Sequence, residues 1–212
     1  PEYQIIHGHY YTLSSIYLKI AKRMGRKTIA HSHNTREFSC FKRYLIKNIE
    51  GIADYQFACS DEAGKWMFPN SQYKVICNAI DTDAFKFNPQ LRQKMRKDFS
   101  VEDKLVIGGV GRLVEQKNPL GMVDIVEAAS KRITNLQMLW AGSGSLREKV
   151  EMKIKERGLN DVITLLGNRG DVPELMQAMD AVLMPSFFEG LPVSLVEAQA
   201  SGLPVLCSDT IT

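Results

Sequence analysis

The sequence predicts an α/β protein built from two doubly wound, parallel-sheet domains, the first of them incomplete. Short apolar runs of strand length alternate with amphipathic stretches of helical spacing along the chain. Five such alternations follow one another after Lys104, the rhythm of a parallel sheet covered by helices on both faces. Three glycine-bearing loops stand directly after strands, at the end of a parallel sheet where ligands bind.

In the first half, Gln4-Ile5-Ile6-His7 reads as a strand. The helical spacing of Leu13, Ile16, Tyr17, Ile20 and Ala21 predicts a helix, and Thr28-Ile29-Ala30 is the next strand. A basic helix is expected from about 37 to 50. Gln56 to Cys59 and Lys74 to Cys77 are strands around a short helix that Ser60 can cap. This is half of a doubly wound domain. The polar stretch Asn78 to Pro89 holds the inter-domain passage, with domains assigned as 1–82 and 83–212.

In the second half a charged helix spans about 90–99 and Leu105-Val106-Ile107 is a strand. Asn118-Pro119 opens a helix, with a cap followed by proline at the first helical position, where a missing N–H costs nothing. Leu136 to Trp140 is a strand, and a helix over about 145–157 is stopped by Gly158. Next come a strand at 162–166, a helix at 172–179, the strand Ala181 to Met184, a helix at 192–200 and the strand Pro204 to Cys207.

Composition bounds the function. With 212 residues, 44% hydrophobic and 24% charged, the chain can bury a sizeable core. No apolar run approaches the roughly 18 residues that a membrane-crossing helix needs, and the start at Pro1 lacks the order of a secretion signal. The four cysteines form no CxxC pair, which argues against structural zinc and for buried free thiols in a reducing compartment. The net charge of +3 hides nine basic residues between Lys19 and Lys47 against the single acid Glu37. A solvated helix face and contact with anionic lipid headgroups or phosphates both account for that cluster. Nucleic acid is not expected, since no recognition motif accompanies the charge.

Three loops carry the candidate chemistry. In Gly108-Gly109-Val110-Gly111-Arg112-Leu113-Val114-Glu115-Gln116-Lys117, glycines let a ligand approach the backbone, and Arg112 and Lys117 offer two positive charges to one anionic group. The pattern is neither a Walker loop nor GxGxxG with its acidic partner. A salt bridge to a neighbouring acid is the plainer role for Arg112. Ala141-Gly142-Ser143-Gly144-Ser145 is a common kind of turn into a helix. Ser186-Phe187-Phe188-Glu189-Gly190-Leu191-Pro192 leads into a helix whose first-turn amides lack internal acceptors and suit phosphate oxygens. Glu197 lies eight positions after Glu189, where one carboxylate can face a sugar and the other a ribose; surface pairing with a lysine is the alternative for Glu197. All four histidines, His7, His9, His31 and His33, fall two per strand end, and alternation puts His31 and His33 on one side. With no acidic ligands nearby, a metal site is not assigned to them.

These residues resemble a known family. Gly111-Arg112-Leu113 with Lys117, Ala141-Gly142-Ser143-Gly144, Pro185 to Pro192 running on to Glu197-Ala198, and Gly202-Leu203-Pro204-Val205 resemble the retaining glycosyltransferases of family 4, the group 1 type with a GT-B fold. His7-Gly8-His9 and Ile29 to Asn34 are similar to its bacterial capsule and exopolysaccharide branch. The resemblance implies two Rossmann-like domains, the second binding a nucleoside-diphosphate sugar, UDP- or GDP-linked, and the first a glycan or lipid-linked acceptor. It implies that Arg112 and Lys117 hold the diphosphate, Glu197 the ribose and Glu189 the transferred sugar. The amides of Gly190 and Leu191 line the phosphate or sugar, Gly111 and Gly142 belong to the same nucleotide pocket, and His33 approaches the donor sugar. No cofactor and no metal is required, because the cations and amides do the work of magnesium. A cytoplasmic enzyme, at the inner face of the plasma membrane, is the expectation. The family's glycine-rich loop after the first strand and its returning C-terminal tail are not found. The chain therefore reads as an internal section that is inactive by itself. A non-catalytic sugar-nucleotide-binding module and a UDP-sugar epimerase of the same fold are the alternatives.

Overall fold

The computed structural model describes residues 3–9, 11–35 and 49–211. They form two compact units, one comprising Pro1–Ala79 with Phe188–Leu191, the other Ile80–Phe187 with Pro192–Ile211.

The first unit carries a four-stranded parallel sheet in the order β1 (Ile5–Gly8), β2 (Lys27–Ser32), β3 (Tyr55–Ala58), β4 (Lys74–Val75). The order runs in one direction only, the half of a doubly wound sheet expected from the alternation. Helix α1 (Tyr11–Arg23) packs on β1 and β2, and α2 (Asp61–Met67) follows β3. Ser60 caps α2 by accepting the Ala63 N–H at 3.2 Å. The core gathers Leu18, Ala30, Ile49, Met67 and Phe68.

Helix α1 forms where the spacing predicts it, but not all of its spaced apolar residues turn inward. Ser14, Ser15, Leu18 and Ala21 are buried, while Leu13, Ile16 and Ile20 are each about half exposed. Close approach of α1 to β1 is the reason: a Cβ on Gly8 would lie 2.6 Å from the Tyr17 hydroxyl and 3.1 Å from Ser14 Oγ, so small side chains occupy the contact. The predicted basic helix at 37–50 falls almost wholly outside the described residues, as do Arg36, Lys42, Arg43 and Lys47 of the basic cluster. Of the rest, Lys22 pairs with Asp54 at 3.3 Å. The thiols also differ from expectation. Cys59 is buried, but Cys77 and Cys207 are exposed, because β4 stops at Val75 and Cys207 ends an edge strand.

The second unit is the larger. Its five parallel strands are ordered β7 (Ile163–Gly167), β6 (Leu136–Ala141), β5 (Leu105–Val110), β8 (Ala181–Met184), β9 (Val205–Cys207). Helices α3 (Pro89–Asp98), α4 (Pro119–Ser130), α5 (Arg147–Glu156), α6 (Val172–Ala178) and α7 (Val193–Ala200) complete it, with a short 3₁₀ turn at Thr82–Phe85 in the stretch read as the passage. Strand β6 is buried along its whole length, as an interior parallel strand should be. Its side chains alternate between two cores. Met138 and Trp140 join Met122, Val126, Val150 and Ile154 on one face, whereas Leu139 and Ala141 join Val106, Leu175, Met179 and Ala198 on the other.

Asp180, just before β8, ties α3 to the sheet. Its carboxylate accepts from the Val106 N–H at 2.8 Å, from Arg92 at 2.5 Å and from Arg96 at 3.1 Å. Burial pushes this carboxyl up, but the Val106 amide and the two guanidiniums outweigh it and hold Asp180 below its ordinary value. The charge of the predicted helix at 90–99 thus has a structural use, since Arg92 and Arg96 are one turn apart on a single face.

Candidate active site

In the second unit the chain runs outward from β5 to β7, then returns to place β8 on the other side of β5. That reversal opens a crevice at the carboxyl ends of β5 and β8, the general ligand site of open parallel sheets. The predicted loops meet there. The loop after β5 and the loop after β6 are bonded backbone to backbone: Leu113 N–H donates to Ser143 O at 3.0 Å, and Leu146 N–H to Leu113 O at 2.9 Å. Trp140 Nε1 donates to Gly111 O at 2.9 Å from within the core. The loop after β8 joins through Phe187 N–H to Gln116 O, 2.9 Å.

Arg112 is therefore held at a fixed place. The residue before it is bonded to Trp140, and the residue after it, Leu113, is fully buried. Its own side chain is exposed and has no acid partner among the described residues, so the salt-bridge alternative is not realised. The carbon chain of Lys117 lies along Gly111, where a Cβ would sit 3.5 Å from Cδ and Cε. Asn118 ends the 3₁₀ turn Glu115–Lys117 in a left-handed conformation, and its Oδ1 accepts the Gly121 N–H at 3.1 Å to cap α4 as expected.

Two glycines of the motif have another purpose. Gly108 and Gly109 lie inside β5, where Cβ atoms would strike Met179 at 1.9 Å and Trp140 at 2.4 Å. They serve packing between sheet and helices and not ligand approach; the loop begins only at Gly111. Gly142 is needed for closeness: it has a φ of +139°, and a Cβ would come within 2.0 Å of the Gly111 carbonyl oxygen. A turn that is commonplace in sequence is thus the mate of the arginine loop.

Helix α7 opens at Pro192 with no side-chain cap; Leu195 N–H donates to Pro192 O at 3.1 Å, which leaves the Val193 and Ser194 amides for an outside acceptor. Glu197, in the second turn, is half-buried and has no ion-pair or hydrogen-bond partner for its carboxyl among the described residues. Burial alone pushes its pKa up, and the surface lysine pair considered for it is not formed. A cavity of about 320 Å³ also exists in this unit, lined by Arg92, Asp180 and Pro204 among others. It lies at the amino ends of β8 and β9, away from these loops.

The remaining predicted residues lie in the first unit. Glu189 is buried, and its carbonyl accepts from Thr35 Oγ1 at 3.1 Å. Gly190 fits against His33, where a Cβ would lie 2.5 Å from the carbonyl oxygen. Leu191 offers its carbonyl to Asn78 Nδ2 at 2.9 Å, while its backbone N–H faces the Cys59 thiol, whose pKa burial pushes up. The Leu191 amide, expected to be available for phosphate, is thus engaged within the protein.

The four histidines converge more closely than alternation implied. His31 and His33 stack at 4.2 Å between ring centroids, His7 and His9 at 4.0 Å, and His9 Nδ1 meets His33 Nε2 at 2.9 Å. His31 is buried, and among the described residues its ring nitrogens make no well-formed hydrogen bond, only a weak approach to the Ile76 backbone. Burial, then the neighbouring rings of His33, His9 and His7, hold its pKa down to about 4. His33 and His7 are lowered too, by burial first and then by His9.

Residues 91–212, more than half of the chain, match the family model of glycosyl transferases group 1. The chain belongs to this family. This group 1 glycosyl transferase is 32% identical over 201 residues to the Bacillus subtilis (strain 168) protein EpsF, described as a glycosyltransferase, covering 87% of the present chain and 51% of the relative. It is 26% identical over 228 residues to the Escherichia coli UDP-Gal:alpha-D-GlcNAc-diphosphoundecaprenol alpha-1,3-galactosyltransferase, covering 98% of the chain and 58% of that enzyme. The chain thus spans little more than half the length of either relative. Among solved structures, Anabaena Alr3699/HepE in complex with UDP and glucose superposes with a TM-score of 0.89 at 22% identity, covering 98% of this chain and 60% of that one. Sucrose-phosphate synthase from Thermosynechococcus elongatus gives 0.81 at 21% identity, covering 98% and 56%. The fold is GT-B, with two parallel-sheet α/β units, the first sheet smaller than the second.

Ser186 escaped the sequence reading as an individual residue. Its hydroxyl is fully buried beyond the end of β8 and has no hydrogen-bond partner among the described residues. The only signal was a polar residue directly after an apolar strand.

Proposed function

We propose that this chain carries the donor site of a glycosyltransferase that moves a sugar from a nucleoside diphosphate to an acceptor with retention of anomeric configuration. The observation that carries the reading is the locking of the Arg112 loop, by backbone bonds from two neighbouring loops, at the β5–β8 reversal. In this reading Arg112, Lys117 and the first-turn amides of α7 take up the negative charge of the departing diphosphate. Fixed charges aimed at a developing anion need no reorganisation during reaction, and this supplies the largest share of the rate enhancement. The sugar C1–O bond to phosphate breaks, a bond from C1 to the acceptor oxygen forms on the same face, and the departing phosphate oxygen takes the acceptor's proton.

Glu197 accepts from the ribose hydroxyls, which gives a half-buried, unpaired carboxylate the partners it lacks. Glu189 binds the transferred sugar and His33 approaches it. Gly111 and Gly142 let the nucleotide loops close on each other, while Gly190 and Leu191 shape the segment that carries Glu189. The donor is a UDP-sugar, in keeping with the UDP named for the Anabaena structure and for the E. coli relative. The acceptor is a glycan or a lipid-linked sugar such as the one the E. coli name prints. No helix among the described residues is long and apolar enough to cross a membrane. Lipid-linked acceptors would be met at the cytoplasmic face by the basic residues between Lys19 and Lys47.

Thermal unfolding with UDP, GDP and ADP tests the reading, because a ligand that binds only the folded state raises the midpoint. UDP should stabilise most. Equal absence of effect from all three would overturn the donor site. Binding of UDP-sugar without transfer or hydrolysis in the active protein would favour a non-catalytic module, and release of a sugar epimer without acceptor an epimerase.

A further inference from the structure

We infer that His7, His9 and His31, beside His33 in the first unit, form a binding site for a divalent transition metal of the zinc class. One nitrogen from each ring falls in a group whose members all lie within 4.8 Å of one another. The rings come from two His-x-His pairs at the ends of neighbouring parallel strands, β1 and β2, where alternation turns both members of a pair to one face. Three imidazoles without a carboxylate are a donor set for zinc, copper or nickel and a poor one for magnesium or calcium.

The second observation is the state of His31. It is only 6% exposed, yet among the described residues its ring nitrogens find no well-formed hydrogen bond, only the nearby backbone of Ile76. A buried polar group left unpaired is costly, and native interiors rarely tolerate one. A metal ion would satisfy the lone pair of the ring's unprotonated nitrogen.

The surroundings suit a ligand set. Phe57, paired with His31 across β2 and β3, stands edge-on to both His7 and His31 at about 6 Å and walls the cluster on its apolar side. His33 meets His9 Nδ1 at 2.9 Å, which leaves His9 Nε2 for the ion and gives that ring the supporting contact common to metal-bound histidines. With metal–nitrogen bonds of about 2.0–2.1 Å the three nitrogens must draw together. His7 and His9 are exposed and can turn, while buried His31 stays fixed. The fourth position of a tetrahedral site is left to water.

Zinc binding should be measured by calorimetry and equilibrium dialysis on the whole chain, carrying no histidine tag and first stripped with a chelator. One saturable zinc ion per chain is expected, and cobalt in its place should show the intense visible absorption of a four-coordinate site. His7→Ala and His9→Ala, at exposed positions where folding is not at risk, should each weaken zinc by more than the roughly 10- to 100-fold that loss of a supporting contact costs. His33→Ala should weaken it less than either. Absence of saturable zinc binding, or affinity unchanged in both His7→Ala and His9→Ala, would overturn the site.

Discussion

Replacing Gly142 by alanine tests whether the nucleotide loops are locked by close approach. The new Cβ would stand 2.0 Å from Gly111 O at a φ of +139°, so both the local backbone and the neighbouring loop must move. The backbone conformation alone costs about 1–3 kcal/mol for a residue with a side chain. Moving the Gly111 carbonyl also breaks its bond from Trp140 Nε1, leaving a core indole N–H unpaired at about 1–3 kcal/mol. A loss of about 2–6 kcal/mol is therefore expected, a large part of the stability of an ordinary domain. Gly158→Ala supplies the control: its φ is +65°, but nothing lies within 4 Å of the added Cβ, and about 1–2 kcal/mol is expected. Urea unfolding measures both, and calorimetry with UDP should show at least about a tenfold loss of affinity in Gly142→Ala only, since about 1.4 kcal/mol of lost contact suffices. Equal destabilisation in the two variants, or undiminished UDP binding in Gly142→Ala, would refute the reasoning.

Other outcomes follow from the same structure. Arg112→Ala should lower kcat of the active enzyme by about 10²–10³, the usual loss on removing one charge-stabilising donor, and a loss below about fivefold in steady-state assays would contradict its role. Glu197→Gln should weaken UDP while stabilising the free protein at neutral pH. A carboxyl whose folded pKa is raised loses stability as pH rises from its ordinary value of 4.5 through the folded one, and glutamine has no such loss. Unfolding curves at several pH values would show the two proteins converging in acid. Asp180→Asn should cost about 2–3 kcal/mol at neutral pH, less than a fully buried pair because its side chain is 24% exposed. Because the folded pKa of Asp180 is depressed, the wild type keeps this stability above the ordinary value of 3.8 and loses it as pH falls through the folded pKa, so the gap should narrow in acid.

What could be read from the sequence was whatever neighbouring residues decide. The apolar run of β6, interrupted only by Gln137, the Asn118-Pro119 start of α4 and the Ser60 cap of α2 are local signals, and the structure realises each. Misreadings arose where distant residues decide. Gly108 and Gly109 looked like ligand loop because Met179 and Trp140, which require their smallness, are remote in sequence. Which side of α1 turns inward is likewise set from outside the helix, because Gly8 admits it so closely that serines fill the contact. The Ala141 to Ser145 turn gained meaning only from bonds to Leu113, some thirty positions earlier. Likewise the histidines were visible as two pairs, but their joining into one cluster depends on the register of β1 against β2.

Titration of UDP into the isotopically labelled chain, followed by its amide NMR shifts, tests the donor site most directly. The largest changes should fall on Gly111 to Lys117, Gly142 to Ser145 and the first turn of α7. Changes centred on Asp180 and Pro204, at the opposite end of the sheet, or none at saturating UDP, would contradict the account.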